Sequence, residues 1–134
     1  MSLTRVNGAE FWIQFIEEFL FDLEMKGFKI ERKAEPILGS LELDVDLILR
    51  VFNNLSSNII KYADSKESIR VRCRIEGENL HLDFENQIGE KESMDSTEIG
   101  LKTCEKILKM HNGTFAWSKG ESFTVKISLP YKQK

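Results

Sequence analysis

Along the chain, the spacing of apolar residues alternates between the period of a helix and that of a strand. This alternation limits the folds that the chain is able to adopt. Apolar residues recur three and four positions apart, as on the buried face of a helix, in residues 10–26, 47–63 and 97–111. They alternate with polar residues, as in half-buried strands, in residues 28–32, 69–75, 80–84, 114–117 and 123–129, with a short further strand at 41–43. This order of helices and strands predicts an α+β fold, a two-layer sandwich.

Local signals mark the ends of these elements. Asp44 or Asp46 is a suitable N-cap for the second helix, and Asn112-Gly113 ends the third. Residues 76–79 and 118–121 join neighbouring strands, so we expect two β-hairpins.

Length and composition bound the class of protein. The chain has 134 residues, of which 41% are hydrophobic, so we expect a single domain over residues 1–134, with residues 1–8 a flexible or appended tail. A net charge of −3 gives no basic excess and argues against a nucleic-acid partner. No run approaches the ~18 apolar residues of a membrane span. Two well-separated cysteines, Cys73 and Cys104, favour a reduced, cytosolic protein.

The second helix carries a polar stripe. Asn54, Asn58 and Lys61 are four and three positions apart, so at ~100° per residue they project within roughly 60° of one another. Arg50 lies one turn earlier on the same side. Asn oxygens suit a hard cation such as Mg²⁺, and a lysine suits a phosphate. The stripe is what a Mg-nucleotide site needs, although the same spacing also fits a solvated helix face.

Two other polar features lie at the ends of elements. Asn86 ends an alternating strand, where its amide is able to read a nucleobase edge or to end the strand in a local turn. Residues 96–101 open the third helix, whose free N–H groups favour an anion. Ser96 or Thr97 is also suited to be an ordinary N-cap there.

Together, three blocks resemble the ATP-binding catalytic domain of sensor histidine kinases, which is related to type II topoisomerases, Hsp90-type chaperones and MutL-type repair proteins. The blocks are Asn54-Leu55-Ser56-Ser57-Asn58-Ile59-Ile60-Lys61-Tyr62, then Asn86, then Gly100-Leu101 opening a helix that closes with His111-Asn112-Gly113. The resemblance runs from about Phe11 to Leu129. It implies a mixed, mainly antiparallel sheet of about five strands covered on one face by three helices, the Bergerat-type ATP-binding fold.

The resemblance also implies which residues bind ATP and Mg²⁺. The implied ATP-binding residues are Asn54, Asn58, Lys61, Tyr62, Asn86, Ile88, Gly100 and Leu101. Asn58 matches the Mg²⁺ ligand, and Asn54 and Lys61 match catalytic positions. Asn86 matches the position whose acid meets the adenine amino group. ATP would lie between the second and third helices, under a lid formed by the loop at residues 87–96.

The implied activity is that of a protein histidine kinase. The chain would donate the γ-phosphate of ATP to a histidine on a separate dimerisation and phosphoacceptor domain, for relay to a response regulator. Asn54 stands where hydrolysing relatives place a Glu that activates water, and an amide cannot act as that base. Neither His81 nor His111 resembles a phosphoacceptor. We therefore expect the cytoplasmic portion of a membrane-bound sensor kinase, a phosphoprotein that meets the membrane only through upstream segments.

Three departures from the family pattern leave a second hypothesis open. Asn86 replaces an acid, the loop at residues 87–96 is short and lacks the usual phenylalanine, and Glu98 replaces a glycine. The alternative is a degenerate regulatory or partner-binding module with the same fold and weak or no ATP binding. A serine-kinase anti-sigma factor, which shares the fold, is a more distant third interpretation.

Overall fold

The predicted alternation of helices and strands is present throughout the part of the chain that can be described. The structure, a computed structural model, describes residues 1–89 and 98–133. In chain order the elements are β1 Thr4–Asn7, α1 Gly8–Phe11, a π-helical segment Trp12–Glu17, α2 Glu18–Met25, β2 Ile30–Ala34, β3 Ser40–Leu43, α3 Val45–Tyr62, β4 Ile69–Glu76, β5 Asn79–Gln87, α4 Glu98–Met110, β6 Thr114–Lys119 and β7 Ser122–Pro130.

The main sheet has five strands in the order β2-β4-β5-β7-β6, with β2 parallel to β4 and the other neighbouring pairs antiparallel. The strand period of two places apolar residues on one face, as in the buried cross-strand row of Val71, Phe84 and Val125. The opposite face carries exposed charges such as Arg72 and Lys126. The helices pack on the apolar face. The predicted mixed, mainly antiparallel sheet covered on one face by three helices is confirmed.

The first of these three helices runs from α1 through the π-helical segment to α2 and packs aromatic residues against α3. The rings of Phe15 and Phe19 have centroids 6.3 and 5.5 Å from that of Phe52 in α3. Trp12 Nε1 donates to Glu17 Oε2 at 2.9 Å. These two residues are five positions apart, the spacing that a π-helical turn brings into line.

The N-terminal residues differ from the predicted flexible tail. β1 pairs antiparallel with β3 as a separate two-stranded sheet. Val6 is buried, and Gly8 N donates to Gly39 O at 2.8 Å. Asn7 caps the first helix by accepting from Glu10 N at 2.8 Å. A strand of four residues with one buried apolar side chain has too little periodicity to be found from sequence, which is why the expectation is wrong for β1.

α3, the longest helix described, begins at one of the two predicted caps. Asp44 Oδ1 accepts from Leu47 N at 3.2 Å, so Asp44 rather than Asp46 is the N-cap. The buried side of the 18-residue helix consists of Ile48, Val51, Phe52, Leu55, Asn58 and Ile59. No helix within the described residues is both long and apolar enough to cross a lipid bilayer.

α4 packs beside α3 and supplies the rest of the helical layer. Its buried side chains include Leu101, Cys104, Ile107 and Leu108. Met110 falls within residues 97–111, where the helical apolar spacing is predicted, but it is 50% exposed, because a residue two positions after Leu108 lies about 200° around the helix from it.

Candidate functional site

The C-terminal half of α3 holds the predicted polar stripe in three different environments. Asn58 is only 5% exposed, Asn54 is half-buried and Lys61 is exposed. Lys61 makes no ion pair with any residue that the structure describes. A purely solvated helix face does not fit this arrangement, because Asn58 is buried within the apolar side of α3.

The amide oxygen of Asn58 is unpaired. Oδ1 is buried and, within residues 1–89 and 98–133, has no hydrogen-bond partner. An unsatisfied buried acceptor costs about 1–3 kcal/mol, and native proteins keep few such groups. Amide oxygens are ligands that hard cations accept. The donor chemistry of Asn58 therefore fits the predicted Mg²⁺ position.

Backbone pairing fastens the end of α3 to the end of β5. Ala63 and Ile88 form an antiparallel bridge, and Gly89 N donates to Tyr62 O at 2.8 Å. We call this pairing the α3–β5 junction. It places the Lys-Tyr pair that ends α3 beside the residues that follow Asn86, two blocks that are far apart in sequence.

Asn86 lies at this junction with its side chain buried. It is 5% exposed, and its Nδ2 donates to the Gln87 carbonyl at 3.2 Å. A strand-ending turn does not describe it, because β5 continues to Gln87 and Asn86 pairs with Phe123 of β7. The ladder thus fixes the backbone of Asn86 at the end of the sheet nearest to the C-terminus of α3.

The first turn of α4 meets α3 at Gly100. Asn54 Nδ2 lies 3.5 Å from Gly100 O and 3.8 Å from Cys104 Sγ. A Cβ added at Gly100 would lie 3.7 Å from Asn54 Cγ, which is an ordinary contact. Packing against α3 therefore does not by itself require a glycine. The structure brings together Asn54 and Gly100, which belong to separate sequence blocks.

The apolar members of the predicted site belong to the core. Leu101 is 3% exposed, and Ile88 is half-buried and packs against the core. Tyr62 is also half-buried against the core. These side chains hold α4 and the α3–β5 junction in place.

Several predicted features lie outside the described residues. They are the lid from residue 90 to 96, the cap at Ser96 or Thr97, and the side chain of Glu98. The predicted lid also included residues 87–89, and there it is wrong, because Gln87 ends β5 and the next two residues pair in the junction.

Sequence analysis missed Cys104 as a neighbour of the site. Burial raises the pKa of its thiol to about 11, so the thiol is protonated at neutral pH. Cys104 follows Gly100 by four residues, one helical turn, and this spacing was the signal available in the sequence. Cys73 is also free and buried, in β4.

Comparison with known families agrees with this geometry. A family profile described as "Histidine kinase-, DNA gyrase B-, and HSP90-like ATPase" matches residues 43–133, about two thirds of the chain. The chain belongs to this family. The match includes α3, the α3–β5 junction and α4, which carry the candidate residues. Membership of an ATPase family implies that the chain binds ATP.

Individual proteins of known type are also similar. The chain is 35% identical over 98 aligned residues to the sensor protein KdpD of Escherichia coli (strain K12); the alignment covers 60% of this chain and 11% of KdpD. The catalytic domain of histidine kinase ThkA superposes with a TM-score of 0.76 at 17% identity, covering 97% of this chain and 98% of that one. The cytoplasmic segment of histidine kinase QseC gives 0.71 at 11% identity, covering 98% and 80%. The predicted histidine-kinase ATPase fold is confirmed, and the chain spans about a tenth of the length of KdpD.

Proposed function

We propose that this chain binds Mg-ATP between α3 and α4 and donates the γ-phosphate to a histidine on a separate phosphoacceptor domain of a two-component sensor kinase, for relay to a response regulator. The observation that carries the proposal is Oδ1 of Asn58, which is buried and has no hydrogen-bond partner among the described residues. Lys61 lies on the same helix, and the α3–β5 junction holds the end of that helix beside Asn86.

In this proposal each polar residue has a distinct task. Lys61, exposed and without an ion pair among the described residues, neutralises phosphate charge. Gly100 lets the first turn of α4 approach the phosphates, where helix N–H groups favour anions. Asn86 accepts from the adenine amino group through its carbonyl oxygen.

Asn58 would hold the magnesium ion. Mg²⁺ takes few protein ligands and is completed by phosphate and water oxygens. Within the described residues no group of three His, Cys, Asp or Glu side chains is placed to hold a metal. Bound there, the ion would neutralise charge on the transferring phosphoryl group. The protein's own contribution is to position the amide oxygen, which the buried side of α3 already holds.

Asn54 distinguishes phosphoryl transfer from hydrolysis in this proposal. It occupies the position of a water-activating Glu in hydrolysing relatives, and an amide has no basic oxygen to take a proton. We expect slow ATP hydrolysis by the chain alone and phosphate transfer only when the histidine domain is present.

The wider setting is part of the same proposal. Residues 1–134 form a single catalytic domain that acts on a phosphoacceptor domain of its parent protein, which becomes a phosphoprotein. In this proposal the chain is part of the cytoplasmic portion of a membrane-bound sensor kinase, in keeping with its likeness to the sensor protein KdpD and to the cytoplasmic segment of histidine kinase QseC.

Calorimetric titration with a non-hydrolysable ATP analogue, with and without Mg²⁺, tests the proposal. We expect binding that strengthens with Mg²⁺ and that Asn58→Leu weakens. Asn53→Leu is the matched control, because Asn53 is an exposed asparagine on the same helix. Absence of binding at about millimolar ligand would overturn the nucleotide proposal.

The second candidate, a degenerate module, is supported by Glu98 at a glycine position, where a carboxylate would repel phosphate. Glu98→Gly separates the two. A large gain in nucleotide affinity would favour a degenerate site, and affinity within about twofold of the parent chain would favour the kinase.

A further inference from the structure

The side-chain amide of Asn54 has a defined orientation. Its Nδ2 lies 3.5 Å from Gly100 O and 3.8 Å from Cys104 Sγ, both in α4. A backbone carbonyl only accepts hydrogen bonds, so the amide nitrogen must face α4. The two hydrogens of the NH₂ group match these two acceptors, and Oδ1 lies beside Gly100, where an added Cβ would be 3.9 Å from it.

Cys104 has the donor and acceptor roles that this orientation requires. Its Sγ lies 3.9 Å from Val51 O in α3, and it is fully buried. Because the thiol is protonated, S–H donates to the Val51 carbonyl while a sulfur lone pair faces Asn54 Nδ2. In this series of contacts, Asn54 donates to Cys104 and Cys104 donates to Val51, so each donor faces an acceptor.

The terminal torsion of an asparagine is broad and nearly two-fold, so an amide with a single weak contact flips readily. A flip of Asn54 would bring Oδ1 against Gly100 O, which is repulsive, and the thiol would have to give up its contact with Val51 O in order to donate to Oδ1. Two acceptors on one rigid helix, one turn apart, oppose the flip better than one does. Neither contact is strong by itself, and the two together hold the amide in one orientation.

We propose that Cys104 is a positioning residue for Asn54: its thiol holds the amide so that Oδ1, and not NH₂, is offered to the nucleotide site. This inference rests on the proposed function. Its consequence is that the group meeting Oδ1 is a hydrogen-bond donor, such as a bound water or an N–H group. A phosphate oxygen would be repelled there, because both atoms carry only lone pairs.

Three variants and one control test the proposal. Cys104→Val removes the acceptor at similar volume, Cys104→Ala does so with less steric risk, and Cys104→Ser keeps a donor and an acceptor. Cys73→Val makes the same apolar change at the other buried cysteine, which lies in β4 and is 2% exposed. Thermal unfolding of all four checks that each variant is folded.

The first readout is the side-chain ¹⁵NH₂ signal of Asn54. We expect faster exchange of these protons with water in Cys104→Val and Cys104→Ala, and near-parental exchange in Cys104→Ser and Cys73→Val. Unchanged exchange in both apolar variants at position 104 would overturn the proposal, whether or not the chain binds nucleotide.

The second readout is affinity for a non-hydrolysable Mg-nucleotide. Loss of one such contact should weaken binding by about two- to tenfold in the apolar variants, with recovery in Cys104→Ser. Equal affinity of the Ser and Val variants would contradict a positioning role. If the parent chain itself does not bind, the proposed function fails, while the amide exchange still decides the role of Cys104.

Discussion

A buried polar side chain lies near each end of α3, and the two differ in how they are paired. His111 and Asn58 are both 5% exposed. His111 uses both ring nitrogens, since Nδ1 donates to Ile107 O at 2.7 Å and Nε2 accepts from Asp44 N at 3.0 Å. Asn58 leaves its carbonyl oxygen without a partner among the described residues.

Under the proposed function, this difference separates a structural end of the helix from an end that binds ligand. At the end that starts at Asp44, polar groups stabilise the fold because they satisfy one another. At the other end, the buried Asn58 oxygen has no partner among the described residues and so costs stability, and the proposed function gives it a bound cation as partner. Proteins keep such unsatisfied or strained groups mainly where function needs them. Substitutions at the two ends should therefore move different quantities.

The largest expected effect is on Mg-nucleotide affinity in Asn58→Leu. We expect affinity to fall by at least about tenfold. Substitution of residues that only support a metal ligand already costs about this much, and Asn58 is proposed to be a ligand itself. The free energy of unfolding without ligand should be unchanged or higher, because an apolar group of similar shape removes the unpaired acceptor. Calorimetry and urea denaturation measure the two quantities. A variant that is less stable but binds normally would reverse the assignment of the ends.

His111→Leu should have the opposite pattern. The change leaves the half-buried Asp44 N–H and the buried Ile107 C=O without their partner, so the free energy of unfolding should fall by about 1–3 kcal/mol. Mg-nucleotide affinity of the folded protein should stay within about twofold. Tyr131→Phe is a matched control at the same end. Gly39 N donates to the tyrosine oxygen at 2.6 Å, and the change leaves this N–H without its partner. A tenfold loss of affinity in His111→Leu would show that the two ends are coupled.

Gly100→Ala should move stability and affinity in opposite directions. Alanine in place of a helical glycine stabilises by about 0.5–1 kcal/mol, and the added Cβ makes an ordinary contact with Asn54. Nucleotide affinity should fall, since the Cβ enters the turn that is proposed to approach the phosphates. Melting temperature and calorimetry follow both effects. A more stable variant with full affinity would remove Gly100 from the site.

The smallest expected effect is a change in the acid dependence of stability in Asp44→Asn. Hydrogen bonds from the backbone N–H of Ser2 and of Leu47 hold the pKa of the Asp44 carboxyl below its usual value. Its stabilisation is therefore complete above an unfolded pKa of about 4 and is lost as pH falls through the lower folded pKa. The Asn variant, compared by urea denaturation at pH 6 to about 2.5, should have a flatter profile. If the free energy of unfolding had the same pH dependence in the parent and the variant, protonation of Asp44 would not be coupled to folding.

The sequence predicts most of the fold because its signals are local. The helical period predicts α3 and the first helix, the alternation of Val71 and its neighbours predicts the strands, and Asp44 is one of the two predicted caps. The arrangement of the strands in one mixed sheet is what the family resemblance implies. β1 was not predictable, since its burial depends on pairing with β3. Met110 lies within the apolar-periodic residues 97–111 but faces away from the buried side of α4, since it is 50% exposed.

The family resemblance names the residues of the candidate site, but the sequence does not predict how they are arranged. The resemblance supplied Asn54, Asn58 and Gly100 together, and their roles stay predictions. The α3–β5 junction and the contact of Cys104 with Asn54 depend on tertiary packing, which no local pattern encodes. The unpaired state of Asn58 Oδ1 is likewise a property of its surroundings.

The central claim is that Asn58 Oδ1 is unpaired because it serves a nucleotide-bound cation. The most direct measurement is the affinity of the parent chain and of Asn58→Leu for a non-hydrolysable ATP analogue across a series of Mg²⁺ concentrations. The claim predicts that affinity of the parent chain rises with Mg²⁺ and that of the variant stays nearly flat, with both proteins equally folded. An equal rise in both would contradict it.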